Sequence, residues 1–312
     1  MKIVFMGTPE FAVPSLDILV KNGYDIAAIV TAQDSFGGRG GKQRIESAVK
    51  KYATTYQIPV LQPEKLRDPD FVSTLESLQA DVFIVVAFRM LPEVVWNMPR
   101  LGTFNLHGSL LPKYRGAAPI NHAIIQGETK TGITSFKLKH EIDTGDIMLR
   151  ADLPIEETDT AGTLHDKMMI LGAEIVLKTV RMLETGNYIL QPQDDIASTP
   201  APKIYHDTCC IDFNKPVEDV YNFVRGLSPY PAAWCIIDDI EVKIMQADKI
   251  LVEDELVPGE IHTDQKKNVH IKCKGGYLKL EMIKPAGKKL MTIQEYLNGH
   301  KINNLKVKSF VL

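Results

Sequence analysis

Residues 81–86 read Asp81-Val82-Phe83-Ile84-Val85-Val86: one acid, then five apolar residues, four of them β-branched. A strand built from such a run has no polar face, so it must be covered on both sides. Helical spacing precedes it at Asp70–Leu78, and a further short strand, Gly102–Leu106, follows it. Toward the start, Ile3–Met6 and Ile26–Val30 are also short apolar runs. Between them Phe11, Leu16, Leu19 and Val20 fall on one helical face that ends at Asn22-Gly23, and Ile45–Tyr56 predicts another helix. Toward the end, Ala118–Gln126 reads as helix, and Gly132–Leu138 and Ile147–Leu153 as strands. A long helix from Ala161 to about Glu184 follows, with Thr160 as its cap and Gly186 as its stop. Alternation of buried strands with helices defines an α/β fold whose sheet is mostly parallel and covered by helices on both faces.

The pattern breaks at Leu190–His206, where Pro192, Pro200 and Pro202 stand among polar residues, and this stretch reads as a linker. Beyond a short helix at Val217–Arg225 come short strand-like runs: Ala233–Ile237, Glu241–Gln246, Gly259–Ile261, Val269–Cys273 and Tyr277–Ile283. Short strands at such spacing predict a small β-barrel. The expected division is therefore a domain over 1–189, a linker over 190–206 and a barrel over 207–312.

The composition, 45% hydrophobic and 24% charged over 312 residues, is that of a globular chain with a real core. No apolar run reaches the ~18 residues of a membrane helix. The Met1–Met6 run stops at Gly7-Thr8-Pro9, too soon for a signal-peptide core. Cys209, Cys210, Cys235 and Cys273 form no CxxC pair, so a reducing cytoplasm is expected. Charge is uneven: Gln265–Leu312 carries eleven lysines against two acids, a polyanion-facing balance in a chain of net charge −3.

The densest polar segment is Asn105-Leu106-His107-Gly108-Ser109-Leu110-Leu111-Pro112 with Arg115-Gly116-Ala117-Ala118-Pro119 after it. It starts at the carboxyl end of a strand, where open α/β sheets bind ligands. Asn105 and His107 are two apart and so share a face, one offering an amide donor and the other a base. Glu141-Ile142-Asp143-Thr144-Gly145-Asp146 offers carboxylates at a glycine turn, either a plain hairpin turn or a group that orients a histidine. Asp-Thr-Gly occurs once, so a paired-carboxylate protease is excluded. Pro9 and Glu10 stand where a dinucleotide fingerprint needs open backbone, which excludes a nicotinamide enzyme. No Walker-type phosphate loop is present, and the histidines lack metal-ligand spacing, so no metal is expected. The glycine-rich basic stretch Phe36–Lys42 reads as a solvated connector or as a clamp.

Taken together, these segments, with Gly38-Arg39-Gly40, Ser228-Pro229-Tyr230-Pro231-Ala232-Ala233-Trp234 and Pro285-Ala286-Gly287-Lys288-Lys289, resemble the folate-dependent formyltransferases along essentially the whole chain. The C-terminal segments resemble those members that act on methionyl-tRNA. The resemblance implies a Rossmann-like domain, an oligonucleotide-binding type barrel, and 10-formyltetrahydrofolate as a co-substrate that is not tightly bound. It implies Asn105, His107 and Asp143 as the catalytic trio. It implies Ser109, Leu110, Leu111 and Pro112, with Phe88, Arg89, Met90 and Leu91, beside the folate. Arg89 stands where relatives often carry glycine, in a segment one residue shorter. It implies Arg39 and Lys42 at the acceptor end of initiator methionyl-tRNA, and the expected tRNA contacts include Lys288 and Lys289. A monomer without membrane attachment is expected. The alternatives are formylation of another amine, such as an amino sugar, or hydrolysis of the formyl donor.

Overall fold

A computed structural model of the chain describes residues 1–37, 41, 43–252 and 257–307. They form two compact units that interleave in sequence. Met1–Gly116, Thr131–Leu153 and His165–Pro200 make the first, and Ala117–Lys130, Pro154–Leu164 and the chain from Ala201 make the second.

The elements run β1 (Lys2–Gly7), α1 (Val13–Lys21), β2 (Asp25–Val30), α2 (Ala48–Thr55), β3 (Val60–Leu61), α3 (Pro69–Ser77), β4 (Val82–Val86), α4 (Glu93–Trp96) and β5 (Thr103–His107). Then come α5 (Pro119–Ile125), β6 (Lys130–Lys137), β7 (Ile147–Pro154) and α6 (Ala161–Thr185). The strands make one seven-stranded sheet in the order β7-β6-β5-β4-β1-β2-β3. β3, β2, β1, β4 and β5 are mutually parallel, and β6 is antiparallel to β5. β4 is buried along its whole length, as its unbroken apolar sequence requires. Strand order reverses at β1, with β2 on one side and β4 on the other, and such switch points are where open sheets bind ligands. Gly7 pairs with Val86 and Val86 with Leu106, so the carboxyl ends of β1, β4 and β5 lie level.

Two sequence expectations change here. The helix read from Ile45 starts at Ala48 instead, because the Ser47 side chain accepts from Lys50 N at 3.1 Å and caps it. Gln43–Ile45 pairs as a short strand with Ser35–Gly37. The proline-rich stretch after Leu190 is a strap and not a free spacer. Gln191 exchanges two backbone hydrogen bonds with Ile147, and Thr199 accepts from both Tyr114 N and Arg115 N. Thr160 and Thr163 do cap the long helix reciprocally.

The second unit contains α5, α7 (Val217–Leu227), β8 (Ala233–Ile237), β9 (Ile240–Leu251), β10 (Ile261–Thr263), β11 (Val269–Cys273), β12 (Gly276–Pro285), β13 (Met291–Thr292) and α8 (Ile293–Gly299). Its strands form an antiparallel half-barrel in the order β8-β9-β12-β11-β10, with β13 beside β12. A register shift near Gln246 lets the long β9 bend. The core includes Phe213, Trp234, Val242, Ile271 and Leu280. The excursions 117–130 and 154–164 join this unit through α7. Asn121 Nδ2 donates to Gly226 O at 2.8 Å, and a Cβ on Gly226 would come 3.1 Å from Ile125 N, so the two helices pack backbone to backbone. Arg225, 9% exposed, donates to Asp159 O at 2.8 Å, which satisfies a guanidinium that burial would otherwise penalise.

Candidate active site

Asn105 and His107 close β5 and share one face of it, as their spacing dictates. His107 is 6% exposed. Its Nε2 lies 2.8 Å from the carbonyl oxygen of Tyr114. A carbonyl only accepts, so Nε2 carries a hydrogen and Nδ1 is the nitrogen left to take a proton. Nδ1 is 3.7 Å from Asp143 Oδ2. The same Oδ2 accepts from Gly116 N at 2.9 Å, which fixes the carboxylate in front of the ring. The imidazole therefore has one end tied to the backbone and the other facing a negative charge.

Backbone geometry supports both neighbours. Tyr114 and Asp143 are non-glycine residues at φ 60° and 56°, in the left-handed region. Aspartate enters that region more often than most residues but only as a minority conformation, and at Tyr114 it turns the carbonyl toward His107. Two residues after Asp143, a Cβ on Gly145 would fall 1.6 Å from Lys137 O. Only glycine lets the 143–146 turn lie against the end of β6, where Lys137 N donates to Asp146 O at 2.9 Å.

The loop after His107 divides its labour. Ser109 and Leu111 are buried and hold it: Ser109 Oγ donates to Lys113 O at 2.6 Å, and Leu111 N donates to Thr134 Oγ1 at 3.1 Å. Leu110 and Pro112 stay partly exposed. In the segment after β4, Leu91 is buried and Phe88 packs on the same core as Val4, Met6 and Val85, whereas Met90 is 70% exposed. The Arg89 guanidinium donates to Glu64 O at 2.9 Å and to Pro63 O, so its side chain staples this segment to the chain after β3.

Arg39 and Lys42 lie outside the described residues. Lys288 and Lys289 are exposed on the turn after β12, where Lys288 N donates to Pro285 O at 3.0 Å. Lys272 belongs to the same lysine-rich region but cannot serve a surface: it is 2% exposed, with Nζ 4.6 Å from the Tyr277 ring centroid. Alternation puts it on the face of β11 opposite Ile271 and Cys273, so the local pattern predicts an exposed lysine and its burial is a tertiary effect.

A mostly parallel sheet with a polar cluster at the carboxyl end of β5, followed by an antiparallel half-barrel, is the architecture of the formyl transferases. Residues 1–180 match the Formyl transferase family and residues 203–301 match Formyl transferase, C-terminal domain. A methionyl-tRNA formyltransferase of Parabacteroides distasonis is 53% identical over 96% of both chains. One from Bacteroides fragilis is 48% identical over 99% of this chain and 98% of its own. Among solved structures, the sugar 3N-formyl transferase WlaRD has a TM-score of 0.68 at 21% identity, covering 93% of this chain and 99% of its own. That likeness is one of fold. At 53% identity across nearly its full length, the chain belongs to the methionyl-tRNA formyltransferase family.

Proposed function

We propose that the chain transfers the formyl group of 10-formyltetrahydrofolate to the α-amino group of initiator methionyl-tRNA, and that Asn105, His107 and Asp143 carry the reaction. The supporting observation is the asymmetry of His107: Nε2 is committed to Tyr114 O, and Nδ1 faces Asp143 at 3.7 Å.

A free α-amine titrates at about 7.7–8.0 and must be neutral to attack. The amine nitrogen bonds to the formyl carbon, and the carbonyl oxygen gains negative charge. The Asn105 amide donates to that oxygen, an effect worth roughly 2.7–4 kcal/mol at comparable sites. His107 Nδ1 takes the proton released by the amine, and the Asp143 carboxylate offsets the charge on the ring. Cleavage of the bond from the formyl carbon to the folate nitrogen returns the electron pair to that nitrogen, which receives the proton. Atoms balance with no covalent enzyme intermediate.

Leu110, Pro112 and the backbone around Phe88–Leu91 line the edge beside this trio in the reading that places folate there. Relatives named methionyl-tRNA formyltransferase at 48–53% identity favour tRNA over an amino sugar as acceptor, as does the exposed lysine pair after β12. The test is an assay of the purified protein with 10-formyltetrahydrofolate against methionyl-tRNA, free methionine, sugar amines and water. Formyl-methionyl-tRNA as the dominant product is expected. Formate release without an amine, or preference for a sugar amine, overturns the reading.

A further inference from the structure

Gln193 lies in the strap after Leu190, far in sequence from the trio, yet its side chain joins the turn that carries Asp143 to Arg115. Its Nε2 donates to Asp143 O at 2.8 Å and to Gly145 O at 2.7 Å. Its Oε1 accepts from Arg115 Nε at 3.1 Å and from Arg115 Nη2 at 2.8 Å. The guanidinium only donates and the two carbonyls only accept, so the amide has one permitted orientation. Arg115 is itself held by Asp195 at 2.7 Å, and its side chain is only 15% exposed.

These hydrogen bonds close a ring. Arg115 precedes Gly116, whose N–H donates to Asp143 Oδ2. The same short stretch of chain therefore grips Asp143 twice: directly at the carboxylate, and through the Arg115 side chain and Gln193 at the backbone carbonyl. Asp143 needs this support because its φ of 56° is a conformation a free chain seldom holds. The far end of the turn is pinned by Gly145 against Lys137. Without Gln193, two carbonyls of the turn lose their shared donor and the turn is free to swing the carboxylate away from His107 Nδ1.

We infer that Gln193, oriented by Arg115, is a positioning residue that sets the Asp143 carboxylate against His107. This rests on the catalytic reading of Asp143 given above. Its action is expected on turnover, because Gln193 and Arg115 act through the backbone of the turn that carries the Asp143 carboxylate. Shifts of about 1 Å at a reacting group cost on the order of 100-fold in rate.

A double-mutant cycle tests it in the full-length protein. Gln193→Glu keeps size and keeps a partner for Arg115 but removes the donor to the turn. It is expected to lower kcat at least about tenfold, with the Michaelis constants for 10-formyltetrahydrofolate and methionyl-tRNA within about twofold of their starting values. Gln193→Met, which has no polar group to mis-pair, is expected to do the same, and Arg115→Met to do so more weakly. In an Asp143→Asn background, Gln193→Glu is expected to change kcat by less than about twofold, because the group it positions is already neutral. Urea unfolding midpoints identify any variant that has merely failed to fold, and the Gln193→Met protein then carries the comparison. Full and equal losses in both backgrounds, or unaltered kcat in both Gln193 variants, overturn the positioning role. Unaltered kcat in Asp143→Asn alone overturns the catalytic reading beneath it.

Discussion

The carbonyl oxygen of Tyr114 stands 2.8 Å from His107 Nε2, and this contact decides which nitrogen of the ring is left for chemistry. With Nε2 occupied as donor, proton exchange falls to Nδ1, on the side of Asp143. His107→Ala, Asn105→Ala and Asp143→Ala are each expected to lower kcat by about 100-fold or more, the scale of lost acid–base or oxyanion assistance. Combined losses are expected to fall short of the product of the single ones, as they do for groups that act as one unit. Steady-state assays of the singles and the triple check this. Near-normal turnover in two of the three would remove the assignment.

Much of this arrangement was legible in the sequence. The apolar run 82–86 dictated a doubly covered strand, and the Asn105–His107 spacing dictated a shared face. What could not be read were the partners that depend on tertiary register. Tyr114 reaches His107 through a carbonyl, which carries no residue-type signal. Gln193 stands in a polar, proline-rich stretch that resembles a spacer, because a strap bonded through single residues has no periodicity. The interleaving of 117–130 and 154–164 with the C-terminal unit likewise rests on isolated pairings such as Asn121 to Gly226, invisible to any local pattern.

Gly145 offers a steric test of the same site. A methyl group there would meet Lys137 O at 1.6 Å, and a backbone oxygen cannot rotate aside as a side chain would. Gly145→Ala is therefore expected to displace the turn that carries Asp143 and to lower kcat by about 100-fold. Stability should also fall, and a urea midpoint measured beside kcat separates the two. Wild-type turnover in a folded Gly145→Ala protein contradicts the idea that this turn places the carboxylate.

Arg89 tests whether the shortened segment after β4 is set by its staple. Its guanidinium bonds to two backbone carbonyls, at Pro63 and Glu64, and to no acid among the described residues. Arg89→Ala frees the 87–91 backbone at one end while Leu91 still anchors the other. Loss of about 1 kcal/mol of loop order corresponds to roughly fivefold in binding. The Michaelis constant for 10-formyltetrahydrofolate is expected to rise by about that factor and that for methionyl-tRNA to stay unchanged. Equal change in both constants contradicts a local effect on the folate side.

Acid stability can be traced to a turn in the second unit. Asp264 Oδ1 accepts from the backbone N–H groups of Lys267 at 2.8 Å, and of Asn268 and Lys266 at 2.9 Å. These bonds, that from Lys267 foremost, hold its carboxyl well below the usual carboxylate range. An unfolded aspartate titrates near 3.9, so below that pH the unfolded chain binds the proton first. The stabilisation is complete above about pH 5 and is lost as pH falls from about 4 toward the lowered folded value. Asp264→Asn is expected to lower the urea midpoint at pH 7 and to leave a smaller gap from wild type at pH 3. A gap that widens on acidification contradicts the assignment.

The lysines after β12 carry the remaining prediction. Lys288 and Lys289 project from a turn in which Gly287 sits at φ 72°, and both are exposed, in contrast to the buried Lys272. Exposure matters because a lysine that neutralises a phosphate releases a condensed counterion, and each such pairing adds about 0.7–0.9 to the slope of log affinity against log salt. Removing both ammonium groups should therefore flatten that slope by about 1.4–1.8. Lys288→Gln with Lys289→Gln is expected to raise the Michaelis constant for methionyl-tRNA, most at low salt, and to leave kcat at saturating tRNA and the constant for 10-formyltetrahydrofolate unchanged. The glutamines keep the turn, since Lys288 N, not its side chain, makes the bond to Pro285 O. Measurement at salt concentrations spanning roughly 50 to 200 mM gives the slope directly. An unchanged slope with a raised constant points to a non-ionic contact, and no change in either leaves these lysines as a solvated surface that the tRNA does not touch.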